Sequence, residues 1–417
     1  MRRIFFILLL FAGFLNVQAQ TNNSPYSIIG IGDMEDSYFD RTNGLANTGI
    51  AYRQGRSLIC ANPASYSGLD NQYFIGDISI RAKYVQYTGN AVDPSNNTST
   101  DITFRRFAIG TKIFKHLGTS MGLMPLTSEN FEFHAPQAIL GTINETANAY
   151  YQGYGGINRV YWTNSYEFFH HVSIGVNSSY LFGSISQKTI LQNPSVSTAY
   201  VSTNKGTYYT GLYFDYGVQF FGSLGKSMDF TLGATFAPKT MLNAQQTIVI
   251  LGIDSSTLKS ETLNESLYSL PTSYGIGAAL TLKKKYTLLA DYKVQQWADL
   301  NYGGYNYALQ NSSRASIGFE ISNKKNIYNQ MVEFSYLHVG LYYNNTYMNV
   351  FGRQIEDRGI TMGFGINAKR SPLAYAVTFQ YGVRGTTVDN LLRENYFNVS
   401  FLFSYRDFWF TKGKKFN

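Results

Sequence analysis

A single cysteine, Cys60, stands in 417 residues. One thiol cannot close an intrachain bridge, so no disulfide framework holds this fold. Past the opening residues, no stretch approaches the ~20 apolar residues that a membrane-spanning helix needs. Charged residues make up only 14%, and the net charge of +8 is spread through turns and loops. No basic run interleaved with a nucleic-acid motif is present, so nucleic acid is excluded as a partner. There are five histidines, His116, His134, His170, His171 and His338, with no His-x-x-x-His, Cys-x-x-Cys or acidic metal loop. No serine is paired with a well-placed histidine and acid, so hydrolase chemistry lacks its nucleophile. Gly30-Ile31-Gly32 and Gly153-Tyr154-Gly155-Gly156 precede neither a helix nor a Lys-Ser/Thr pair, so neither reads as a phosphate loop. The expectation is a non-enzyme with no cofactor, no metal site and no catalytic residues.

Aromatic residues, in contrast, are abundant: 16% of the chain, with 34 Tyr and 30 Phe. From about Phe74 to Phe408, stretches of period-two hydrophobicity follow one another with no amphipathic helix between them. Tyr274, Ile276, Ala278, Leu280 and Leu282 share one face of a strand, with Gly275, Gly277, Ala279, Thr281 and Lys283 on the other. The same alternation runs through Leu212–Phe220, Tyr286–Val294, Ile360–Ile366 and Phe397–Phe403. Successive side chains of a strand point to opposite sides, so one face meets lipid and the other a lumen. Glycines on the inward face predict close backbone approach or tight curvature. Tight connections at 115–118, 170–171, 223–226, 283–285 and 369–372 alternate with polar loops near 88–101, 135–155, 188–207, 243–270, 299–310, 343–357 and 386–393. That pattern predicts an all-β fold: an antiparallel up-and-down transmembrane β-barrel of about fourteen strands. Trp162, Trp297 and Trp409 near strand ends read as interfacial anchors.

Met1-Arg2-Arg3, an apolar run from Ile4 to Leu15 and small residues before Gln20 read as a secretory signal over 1–19. Removing its two arginines leaves +6 for the mature chain. Residues 20–72 do not alternate and are rich in Gly, Asn and Ser. They hold Ile28, Ile29, Leu45, Leu58, Ile59, Tyr66 and Leu69, which favours an N-terminal hatch inside the barrel over a disordered tail. Residues 73–417 form the barrel. Pro125 interrupts the third strand; proline removes a ladder donor, so a bulge or a lateral opening is expected there. Asn62-Pro63-Ala64 reads as a defined bend that fixes the hatch or moves as a gate. Asp291, Lys293 and Gln295 point inward on one strand with Glu320 on the next, a polar lumen cluster that holds the hatch or lines a solute path.

Asn62-Pro63-Ala64, placed just before the first strand, resembles the FadL family of outer-membrane transporters of long-chain fatty acids and other hydrophobic compounds. So do Leu270-Pro271-Thr272-Ser273-Tyr274-Gly275, Ala290-Asp291-Tyr292, Gln296-Trp297, Arg314–Glu320, Val339–Tyr343 and Gly363-Phe364-Gly365, in that order. Ser24-Pro25-Tyr26 and Asn62–Ser67 look like its branch in Bacteroidetes-type bacteria. The resemblance implies a fourteen-stranded barrel blocked by a hatch, in the outer membrane of a Gram-negative cell. A hydrophobic ligand would leave sideways through a kink in the third strand. Its partners would be outer-membrane lipids and that ligand. A second subgroup of similar scaffolds serves type IX protein secretion, so a secretion or surface-assembly partner is the alternative reading.

Overall fold

A computed structural model describes residues 24–90, 92, 97–138, 146–192, 200–252, 255–300, 303–304, 306–327, 330–368 and 371–408. The signal segment 1–19 and Trp409 lie outside the described residues. Fourteen strands build one closed antiparallel wall. They are β1 (Tyr73–Thr88), β2 (Thr98–Phe114), β3 (Leu117–Pro125 and Thr127–Ala138), β4 (Thr146–Phe168), β5 (Val172–Gln192), β6 (Tyr200–Leu224) and β7 (Met228–Ala237 and Thr240–Leu251). After these come β8 (Thr257–Leu270 and Ser273–Leu282), β9 (Tyr286–Gln295), β10 (Ser312–Ile327), β11 (Gln330–Val350), β12 (Arg353–Asn367), β13 (Leu373–Gly385) and β14 (Arg393–Phe408). The first strand pairs with the last, from Tyr73↔Phe408 to Thr88↔Arg393, so the wall has no open edge there.

The alternation seen in the sequence sorts inward from outward as expected. Tyr274, Ile276 and Leu282 are exposed on the outer face, as are Leu212, Phe214 and Phe220, and Ile360, Met362 and Phe364. Their strand neighbours Gly275, Gly277, Gly217, Gly363 and Gly365 face in. An apolar outer band on a closed barrel satisfies every backbone group within the wall while presenting hydrocarbon to lipid.

The polar connections expected as loops are mostly strand. The β5 and β6 strands run 21 and 25 residues, β11 runs 21, and β11 reaches β12 through the two-residue turn Phe351-Gly352. A tilted strand needs only ~9–11 residues to cross a bilayer. The surplus continues the ladder as hairpins at that end, because Thr, Ser, Asn and Gln alternate there as regularly as the apolar residues do lower down. Trp297 is also not an interfacial anchor: it is buried and stacks on Tyr347 with centroids 4.4 Å apart. Trp162 does stand on the outer surface, its indole donating to Thr119 Oγ1 at 3.1 Å.

Residues 24–69 pack against the inward faces of the wall through three short 3₁₀ turns, Pro25–Ile28, Arg41–Leu45 and Pro63–Gly68. Asp40 caps the second turn, accepting from Thr42 N at 2.8 Å, and Asn62 caps the third, accepting from Ala64 N at 3.0 Å. Proline at the first position of the third turn sets its φ and spares a donor that would have no partner. The segment approaches the wall so closely that side chains are excluded opposite it. A Cβ on Gly340 would come 2.5 Å from the backbone of Leu45 and Ala46, and one on Gly217 would collide with Asn62 and Pro63. Val at position 217 should therefore unseat the segment while the wall still forms. Limited proteolysis of the folded, detergent-purified Gly217→Val protein should cut within 24–69 well before wild type does. Equal protection in both would refute the seating.

Candidate functional site: the plugged lumen and the seam at Pro125

Charge is concentrated where the N-terminal segment meets the wall. Arg41, fully buried, donates to Glu320 at 2.7 Å and to Glu333 at 2.6 Å, and its guanidinium lies 3.7 Å above the Tyr336 ring. Glu320 also takes a hydrogen bond from Tyr52 and faces His338 Nε2 at 2.8 Å. Burial alone would lower the Arg41 pKa, but Glu320 and Glu333 outweigh it and hold the guanidinium well above its ordinary value. A buried charge is tolerable only when paired and hydrogen-bonded in this way.

A second knot forms on β2. The β1–β2 register shifts between Ser79 and Ile80, so Arg105 is an extra residue and Arg105 and Arg106 are both turned inward. Arg106 then lies 3.8 Å from Asp40 and 3.7 Å from Asp77 and donates to Leu58 O at 3.2 Å. Arg105 and Arg81 bracket Glu35 at 3.6 and 3.1 Å. Farther along, Arg384 clamps Asp33 with two bonds of 2.5 and 2.9 Å, and Arg314 meets Asp36 at 3.2 Å. Forked arginine–carboxylate contacts fix orientation as well as charge.

The sequence-predicted residues fall into three places. Asn62 is wholly buried and donates to Ile50 O at 2.8 Å and Val218 O at 3.1 Å, tying the turn of Pro63 and Ala64 to β6. Asp291 accepts from Gly49 N at 2.6 Å and Ile50 N at 2.9 Å. Glu320 belongs to the Arg41 knot. Lys293 lines an interior cavity with Gln295, whose carbonyl accepts from Trp297 Nε1 at 3.1 Å. The expected lumen cluster is thus not one cluster. Asp291 is opposite Ser316, four residues from Glu320 on β10, a separation of roughly 13 Å along a strand.

Pro125 marks a break in the wall. The last rung between β2 and β3 is Phe107↔Leu123; among the described residues, 98–104 and 106 pair with β1, Arg105 is the bulge, and none of 98–106 has a rung toward β3. The second piece of β3 pairs with β4 from Glu129↔Gly155 to Ala138↔Thr146. On its free side the N-terminal segment takes the missing neighbour's place. Asp33↔Ser128 and Met34↔Thr127 form a short ladder, Glu35 N donates to Leu126 O at 2.9 Å, and Ser24 N donates to Asn130 O at 3.1 Å. Gly156, at φ 150°, gives β4 the curvature to follow this break, and a Cβ there would strike Thr127 O. The outcome is a seam in the wall closed from inside by the plug.

Two small interior cavities flank the segment, apart from a wider space of about 660 Å³ at the short-turn end that Arg41, Arg53 and Glu333 line. One of about 120 Å³ is lined by charge, including Asp33, Glu35, Arg81, Lys83, Arg384 and Glu394. The other, of about 80 Å³, touches Pro63 and Pro125 together, and its walls mix Ile50, Tyr66, Leu126 and Tyr213 with the charged Glu35, Asp36, Arg159, Asp215 and Lys293. Pro63 and Pro125, 62 residues apart in sequence, therefore face one space.

Sequence reasoning missed the arginines. Arg41, Arg81, Arg106, Arg314 and Arg384 all face inward, and each sits at an inward position of its strand or in the segment the lumen encloses. Arginine at a lumen position opposite a segment carrying Asp33, Glu35, Asp36 and Asp40 was the available signal. It also passed over Pro238 and Pro271, which split β7 and β8 by the same rule that found Pro125.

The protein-family model BamG matches residues 1–417. Among solved structures, a Pseudomonas aeruginosa FadL homologue superposes with a TM-score of 0.63 at 11% identity, covering 91% of this chain and 100% of that one. The Pseudomonas putida toluene transporter TodX gives 0.62 at 14%, covering 92% and 99%. The Ralstonia pickettii toluene transporter TbuX gives 0.59 at 13%, covering 88% and 97%. No curated protein matches the chain in sequence. These structures share the fold: a fourteen-stranded closed barrel of the FadL type.

Removing Arg41 leaves Glu320 and Glu333 buried without their cation, at a cost of about 3–5 kcal/mol. Arg41→Ala should raise amide hydrogen exchange across 37–60 by two or more orders of magnitude while β6 and β7 stay protected. Unchanged exchange in 37–60 would show that the knot does not hold the segment.

Proposed function

The chain belongs to the BamG family, and from its likeness in fold to the toluene transporters TodX and TbuX we propose that it is an outer-membrane channel for hydrophobic small molecules. The carrying observation is the cavity that Pro63 and Pro125 share at the break in β3. An apolar solute is resisted by the polar outer leaflet. A sideways exit lets it enter hydrocarbon without crossing water, at about 25 cal/mol gained per Å² of apolar surface kept from water. In this reading residues 20–72 are the hatch, Asn62-Pro63-Ala64 the bend that positions it, and Pro125 the kink where the wall opens. Asp291, Lys293, Gln295 and Glu320 hold the hatch and border the route. Long-chain fatty-acid-like molecules are the proposed cargo, and an N-terminal signal peptide the proposed route of export.

Transport requires movement. The ladder of Asp33–Met34 on β3 is only two residues long, so opening the seal breaks few backbone bonds but also the Arg384–Asp33 clamp and the contacts of Arg81 and Arg105 with Glu35. The Arg41 and Arg106 knots lie on other strands and stay in place while the seal opens.

A second reading has its own support. The cavities beside the seam are small and lined by charge, residues 24–69 are tied by buried ion pairs, and the β5–β6 and β11–β12 hairpins rise well past a bilayer's thickness. Those features suit a barrel that serves as a fixed partner in a protein secretion or surface assembly.

Native mass spectrometry with lipidomics on the mildly solubilised barrel separates the two. A variant lacking residues 20–60 and a full-length Leu126→Trp variant, which fills the shared cavity beside Pro125, are measured beside it. An apolar small molecule enriched in wild type and lost in both variants is the expected result. No ligand, with a stoichiometric co-purifying protein instead, would overturn the channel reading in favour of the assembly partner.

A further inference from the structure

At the short-turn end of the barrel, two connections bring together three groups that lie far apart in sequence. His116 sits in the turn between β2 and β3; Glu167 and His170 sit at the end of β4 and in its turn to β5. One ligand atom from each lies within 4.8 Å of the others. The His116 and His170 rings are 5.4 Å apart between centroids. His170 Nδ1 is 3.5 Å from Glu167 Oε1. A backbone bond from Glu167 N to His116 O, 3.0 Å, fixes the two connections against each other. His116 Nδ1 is shut away from solvent with no hydrogen-bond partner. The other Glu167 oxygen, Oε2, accepts from Arg53 at 2.6 Å, which leaves Oε1 free to face the histidines.

We infer that His116, Glu167 and His170 form a binding site for a divalent transition-metal ion of the zinc class. Two imidazoles and one carboxylate are the donor set such ions take, at roughly 2.0–2.2 Å. Two donors at that distance around a tetrahedral centre stand about 3.4 Å apart. The His170–Glu167 spacing of 3.5 Å already meets this, and His116 closes the rest by a side-chain rotation. A fourth position stays open to water because the His170 side chain is 69% exposed.

The other histidines are engaged elsewhere. His171 Nδ1 contacts Phe221 O at 3.2 Å, His338 is bound to Glu320, and His134 packs on Tyr150 near the opposite end of the wall. The site also reaches the plug. Arg53, which grips Glu167, donates to Ser67 Oγ at 2.9 Å and stacks on Phe221, so an ion shared by the two turns bears on the anchor of the N-terminal segment.

The test uses the full-length, untagged protein in detergent after stripping with chelator. Zn²⁺ is titrated by calorimetry, and Co²⁺ by the visible bands of a four-coordinate site. One equivalent bound with micromolar or tighter affinity is expected. His116→Asn and His170→Asn should each weaken it at least tenfold, and His171→Asn should leave it unchanged. Heat-modifiable gel mobility confirms that each variant is folded. Binding that survives His116→Asn together with His170→Asn would overturn the site, as would wild type showing neither a Zn²⁺ isotherm nor the Co²⁺ bands.

Discussion

Everything inside this barrel depends on how near the backbone of residues 24–69 comes to the wall. Gly217 lies against Asn62 and Pro63, and Gly340 against Leu45 and Ala46, with no room for a single extra carbon. Contact that close exposes backbone polar groups of the segment to wall side chains, and they are met: Asp291 takes two amides, and Asn62 reaches two carbonyls. A segment with almost no regular structure is thereby satisfied bond by bond, which a buried loop requires.

The same closeness sets the electrostatics. Charges buried at this contact are tolerable only where they find counterparts there. Arg41, Arg106 and Arg384 each meet carboxylates carried by the opposite partner, segment to wall or wall to segment. Arginine suits this role because its fork fills two acceptor positions at once and it stays charged on burial. The bulge at Arg105 is the backbone's accommodation: an added residue turns two consecutive arginines inward where strict alternation would allow one.

Where the wall itself is incomplete, the segment supplies the missing rungs. Pro125 ends one piece of β3, and the piece after it lacks β2 as a neighbour. Unpaired strand backbone is costly beside lipid. The short ladder at Asp33–Met34 covers that cost from inside the barrel, and it does so with few bonds.

Much of this was legible in the sequence. Strand period, strand parity and the outward apolar face follow from alternation at Tyr274–Leu282, Ile360–Ile366 and their counterparts, because a pleated strand has only two sides. Pro125 was legible because proline lacks a donor whatever surrounds it. The long hairpins were not, since Thr- and Asn-rich stretches such as 200–210 read equally as loop or as solvated strand until a neighbour supplies the ladder. Nor could Asp291 and Glu320 be separated into different knots, because their distance depends on which rung of β9 faces which rung of β10. By itself the chain determined an all-β closed barrel of about fourteen strands, since period and composition are local properties. Which arginine meets which carboxylate, where the seam is sealed, and that His116 meets Glu167 and His170 were decided only by the tertiary structure. Those contacts join residues tens to hundreds of positions apart, and only the closed register of the wall sets their distances.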